Sequence, residues 1–145
     1  MSLWYSILFL WLTVPGAVNL SFLCSSFFGS MQAINLTQKK TLASGLSVAD
    51  TILSSLIGLL GKPNLPPGEG LWLVPCQSIH TMWMRFPIDV IFLDGAKTVV
   101  HLIENMKPFR ISKHVSSARS VIELPATTIT STQTQLGDQI VIANR

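Results

Sequence analysis

From Leu71 to the C-terminus, apolar and polar residues alternate with a period near two, interrupted by short polar turns. That period predicts strands at Leu71–Val74, Ser78–Met84, Ile88–Leu93, Thr98–Ile103, Ser120–Leu124 and Gln139–Ala143. Asp94-Gly95 between two of these runs is a hairpin signal, and Leu136-Gly137-Asp138 marks a turn before the last. Upstream, Ala33 to Leu42 reads as a short hairpin about Gln38-Lys39-Lys40. The period then lengthens. Ser47-Val48-Ala49-Asp50 has the form of a capping box, and Val48, Ile52, Leu56, Leu59 and Leu60 follow helical spacing. Gly61 and Pro63 supply the stop, and residues 62–70, rich in proline and glycine, predict a stiff surface loop. One short N-terminal amphipathic helix against many short strands predicts a mainly-β domain, a compact sandwich or a partly closed barrel.

The 145 residues divide at about residue 30. Met1 to Gln38 carry no charged side chain, and apolar runs before and after Pro15-Gly16 dominate the first 28 positions. The stretch lacks the positive n-region of a secretory signal, and a spanning helix built from it would be kinked at Pro15-Gly16. Met31-Gln32-Ala33-Ile34-Asn35-Leu36 begins the alternation of a first strand. Residues 1–30 are therefore an apolar extension, a leader or the product of an upstream start, and residues 31–145 form one domain. A start at Met31 implies a cytoplasmic protein, whereas a retained extension implies a membrane-anchored or exported one.

Charged residues make up 12% of the chain and the formal net charge is +3. No dense basic stripe or RNA-binding aromatic motif accompanies that charge, so a nucleic-acid partner is not expected. Lys107, Arg110, Lys113, His114 and Arg119 read as a solvated loop. Cys24 and Cys76 are too few, and too far apart in kind of segment, to make a disulfide framework.

The candidate chemistry lies between Pro75 and Asp94. If this segment is extended, Cys76, Ser78, His80, Met82 and Met84 share one face. Cys, His and Met are the ligand set of copper, and Cys and His that of zinc. In a straight strand, however, Cys76 and His80 stand roughly 13 Å apart, so one ion needs a bulge or a further ligand such as His101 or His114. The same separation weakens a Cys76 nucleophile with His80 as base. Asp89 alternates with Ile91 and Leu93, and a carboxylate on a buried face needs a partner, for which Arg85 and Arg119 are the candidates. Glu123 poses the same question. Trp83, on the opposite face, reads as core in preference to a stacking platform for a sugar or base.

The preferred reading is a non-enzymatic binding module for a small polar molecule or a protein partner, its pocket formed by His80, Met84, Arg85, Asp89 and Glu123. No catalytic residue and no cofactor are assigned. The alternatives are a soft-metal (copper or zinc) protein using Cys76, His80 and Met82 or Met84, and a hydrolase-like enzyme using Cys76 or the Asp89/Glu123 pair. Membrane contact is expected only through residues 1–30.

The string from Cys76 to Asp94, CQSIHTMWMRFPIDVIFLD, resembles the signature of the domain of unknown function family 192. The similarity extends upstream through Gly58-Leu59-Leu60-Gly61 and Pro67-Gly68-Glu69-Gly70. Downstream it runs through Ala118-Arg119-Ser120-Val121-Ile122-Glu123-Leu124-Pro125-Ala126 to Gly137-Asp138. More distant members look like W-M-K-N-T-x-x-P-L-D, so Trp83, Met84, Pro87 and Asp89 match both forms and Cys76 and His80 only the first. The resemblance implies a compact mainly-β protein and implies no activity. This chain departs from the pattern at Ser55 and Ile57, where basic residues are common, and at Thr127, which stands where a turn glycine is usual.

Overall fold

The structure, a computed structural model, describes residues 31–50, 59 and 62–144. Seven strands make one sheet: β1 (Met31–Asn35), β2 (Lys40–Ala49), β3 (Glu69–Leu73), β4 (Ile88–Leu93), β5 (Val99–Met106), β6 (Ser120–Pro125) and β7 (Ile140–Asn144). Their order across the sheet is β5-β4-β6-β3-β2-β1-β7. The β2–β3 pairing is parallel and the other pairings are antiparallel. Among the described residues one short helix, α1 (Thr128–Thr132), follows β6.

The sheet curls until its edges meet. The Val99 N–H donates to the Asp138 carbonyl at 2.9 Å, the Gly137 N–H to the Val99 carbonyl at 2.8 Å and the Ile140 N–H to the Lys97 carbonyl at 3.0 Å. These bonds join the start of β5 to the approach to β7, and they satisfy edge groups that would otherwise stand open. The result is the mainly-β, partly closed barrel that the pattern of short strands predicts.

Two apolar clusters lie on opposite faces of the sheet. Ala33, Leu42, Leu46, Ile91, Leu93, Ile122, Leu124, Ile129 and Ile140 fill the concave side, with contributions from both edges. Leu71, Leu73, Val90, Phe92 and Val121 point to the convex side, where Ile79, Met84, Val115 and Ala118 from loops cover them. Burial on both faces explains why all six residues of β4 are buried and why five of them are apolar, Asp89 being the exception. Gly70 sits where β2, β3 and β6 come closest. A Cβ there would meet Leu46 and Leu124 side-chain carbons at 3.0 Å and the Glu123 carbonyl at 3.1 Å.

Two expected elements differ. Ser47 and Val48 belong to β2, paired in parallel register with Leu71 and Trp72, so the capping box does not start a helix there. The helical spacing that follows, over 51–58, 60 and 61, lies outside the described residues; Leu59 is buried in the convex cluster. The second difference is Ser78–Met84, which is not a strand of the sheet. Among the described residues no helix is long and apolar enough to cross a membrane.

Candidate functional site

Cys76–Met84 and Lys107–Arg119 run antiparallel to each other as an irregular ribbon laid over the convex face. The Cys76 N–H donates to the Arg119 carbonyl (3.1 Å), the Val115 N–H to the Gln77 carbonyl (2.8 Å) and the Ser112 N–H to the Ile79 carbonyl (2.9 Å). Only His80 and Ile111 form a regular bridge pair. The ribbon therefore keeps the alternation of an extended chain without joining the sheet. Its inward residues are Ile79, Thr81 and Met84, whereas Cys76, His80 and Met82 are half-buried and Ser78 is exposed. The single row of sulfurs and imidazole does not form.

Thr81 ties the ribbon together. It is fully buried; its Oγ1 donates to the Lys107 carbonyl at 2.7 Å and accepts from the Arg110 N–H at 3.0 Å. Its own N–H donates to the Arg110 carbonyl, and its carbonyl accepts from the Phe109 and Met84 N–H groups. The turn this creates throws Trp83 outward. At 73% exposure Trp83 is a surface residue, which corrects its expected place in the core.

The two inward carboxylates separate completely. Asp89 is paired with Leu124 and Glu123 with Val90, so strand alternation sends them to opposite faces. Asp89 is fully buried on the concave side, where Oδ1 accepts from the Asn105 N–H and Oδ2 from the Ile129 N–H, each at 2.8 Å. It thus caps α1 from a neighbouring strand, at a helix start where Thr127 gives no side-chain cap. The expected guanidinium partner, Arg85 or Arg119, is replaced by backbone amides, and both arginines are exposed. Both carboxylate oxygens of Asp89 are thus engaged by the main chain.

Glu123 faces the convex cluster between Leu71 of β3 and Val90 of β4. It is 5% exposed, and among the described residues nothing hydrogen-bonds its carboxyl. Burial pushes its pKa up to about 7. Nearby, the half-buried Cys76 thiol donates to the Ser78 carbonyl at 3.2 Å. Burial raises that thiol above its ordinary value; a backbone hydrogen bond at Ser78 opposes the shift, and the Glu123 charge adds to it by less. Such surroundings hold the thiol protonated rather than activate it.

Of the five pocket residues read from sequence, Met84 and Glu123 lie on the same, convex side of the sheet. Asp89 is on the other side of the sheet, Arg85 is exposed, and half-buried His80 lies in the ribbon with Nδ1 unpartnered. Sequence reasoning missed Ile79 and Thr81 as inward residues; the alternation was visible, but its phase was taken the wrong way. Among the described residues no three His, Cys, Asp or Glu side chains converge to hold a metal ion. His101 leans on Phe92 at 5.5 Å between ring centroids; burial and the charge of Lys113 lower its pKa, and Lys113 also opposes a second cation there.

This is a small curled β-sheet domain with a two-segment cover over one face. The profile of family 192, described as "Uncharacterized ACR", matches residues 34–142, and the chain belongs to that family. An uncharacterised UPF0127 protein of Thermococcus sibiricus is 32% identical over 112 residues, covering 74% of this chain and 71% of its own. A solved protein of unknown function from Novosphingobium aromaticivorans superposes with a TM-score of 0.67 at 16% identity, covering 77% of this chain and 83% of its own. A Sinorhizobium meliloti structure, described provisionally as a transcription regulator, gives the same TM-score at 18% identity, over 81% of this chain and 95% of its own. At these identities both structures are similar in fold alone.

Proposed function

We propose that the protein is a non-enzymatic binding module whose ligand lies between the convex face of the sheet and the ribbon, with Glu123 as its polar contact and Cys76, Ile79 and Met84 beside it. The observation that carries this reading is the buried carboxyl of Glu123, to which no described residue donates a hydrogen bond. A buried acid without a donor is costly to the fold, and a ligand bearing an ammonium, guanidinium or amide N–H group would satisfy it. Among the described residues the cover is of irregular loops, which suits entry of a small molecule. The protonated state of Cys76 favours binding over thiol catalysis.

A thermal-shift screen with small primary amines, guanidines and amides tests the reading. Compounds that stabilise the parent protein at pH 8 but not Glu123→Gln are the expected result. No stabilising compound, together with no co-purifying metabolite in native mass spectrometry, would remove it. Copper or zinc is the competing occupant, and elemental analysis of the purified protein decides: stoichiometric metal would replace the small-molecule reading.

A further inference from the structure

The outer tip of the ribbon carries a second surface, unrelated to the buried acid. Trp83, Phe109 and Ile111 are 73%, 52% and 73% exposed. Trp83 and Phe109 meet edge to face, with ring centroids 5.7 Å apart and planes at 74°. Both aromatic residues hold left-handed backbone, φ 65° at Trp83 and 59° at Phe109, a conformation that bulky side chains avoid. The hydrogen bonds converging on buried Thr81 impose it. The fold thus accepts strain at two positions, and its effect is to keep two large rings in solvent.

Along the ribbon's own sequence the charge has one sign. Residues 77–88 and 105–122 contain five of the chain's ten lysines and arginines and no acidic residue. Arg85, Lys107 and Arg110, nearest in sequence to the three apolar residues, are all exposed. An apolar tip rimmed by cations is complementary to an anionic bilayer, where indole and phenyl rings settle at headgroup depth and basic side chains meet lipid phosphate and carboxylate. A single nucleic-acid strand fits less well. Consecutive bases stack on ring faces, whereas these rings are nearly perpendicular and Ile111 has no π face.

We infer that Trp83, Phe109 and Ile111 form a docking tip for the surface of an anionic lipid bilayer. The site belongs to the folded domain and is separate from the apolar N-terminal stretch. Its test uses the full chain in flotation with vesicles of equal parts phosphatidylcholine and phosphatidylserine, and with phosphatidylcholine alone. Partitioning onto the anionic vesicles should exceed that onto the neutral ones and fall with added salt. Combined Trp83→Ser, Phe109→Ser and Ile111→Ser should lower it about tenfold, and Lys107→Ala with Arg110→Ala about as much. The charge variant keeps the test open if the apolar variant does not fold. Equal partitioning onto both vesicles, or parent-like partitioning by folded variants, assigns binding to another part of the chain and overturns the inference. So does a labelled single-stranded oligonucleotide or acidic peptide that binds the tip more tightly than vesicles do.

Discussion

Asp89 and Glu123 are acids on adjacent strands, buried to nearly the same degree, and the sheet between them gives them opposite surroundings. On the concave side Asp89 uses both oxygens to hold two backbone amides from different elements. On the convex side Glu123 is set among leucine, valine and methionine with no donor among the described residues. The first acid therefore ties two elements of the fold together, whereas burial opposes ionisation of the second. Burial alone does not distinguish a structural carboxylate from a candidate binding group; the inventory of donors does.

Substitution should separate the two acids most sharply. Asp89→Ala leaves the buried Ile129 amide and the part-buried Asn105 amide unpaired, and a loss of about 2–4 kcal/mol in urea denaturation is expected. Glu123→Gln removes only a charge that the site disfavours, so at pH 8 its stability should equal or exceed that of the parent. A large loss in Glu123→Gln, comparable to that in Asp89→Ala, would erase the distinction.

The second expected effect is on pH dependence. Because the folded-state pKa of Glu123 lies above its ordinary value of 4.5, the folded protein holds the proton more tightly. Its contribution to stability is thus present in acid and is lost as pH rises from 4.5 to about 7, by at most about 3 kcal/mol. His101, lowered by burial and Lys113, works in the opposite sense near its ordinary value. The difference between parent and Glu123→Gln melting curves across this range isolates the acid. A difference that does not change with pH would place Glu123 in water.

Packing on the concave face gives a smaller effect. Gly70→Ala pushes a methyl group against Leu46, Leu124 and the Glu123 carbonyl, and should cost about 1–3 kcal/mol in the same denaturation assay. The smallest effect concerns α1. Thr127 holds φ 75°, and Thr127→Gly should stabilise by about 1 kcal/mol if relief of the β-branched residue outweighs the added chain entropy. An unchanged or lower melting temperature would show that it does not.

Much of the fold was legible because alternation is a local property. β4 and β6 were bounded almost to the residue, and the Asp94-Gly95 hairpin formed, with Asp94 Oδ1 accepting from the Ala96 and Thr98 N–H groups at 2.9 Å. The absence of glycine at 127 also pointed to a real feature, since the backbone there takes the left-handed form. The site was less legible. Ser78–Met84 alternates as a strand does, but its partner is another loop, and sequence does not say whether a ribbon joins the sheet or lies across it. The pairing of Asp89 with Leu124 and of Glu123 with Val90 depends on strand order, β4 beside β6, which brings together residues more than thirty apart. Donors from the main chain, such as those that meet Asp89, leave no trace in side-chain identity.

The place of β1 between β2 and β7 has a consequence for how the molecule is made. During synthesis the N-terminal hairpin emerges early, yet one flank of β1 waits for Ile140–Asn144, more than a hundred residues later. Until then that flank offers unpaired main chain to any neighbour, and the curl cannot lock. Loss of these last few residues should therefore leave an aggregation-prone sheet rather than a slightly shorter domain.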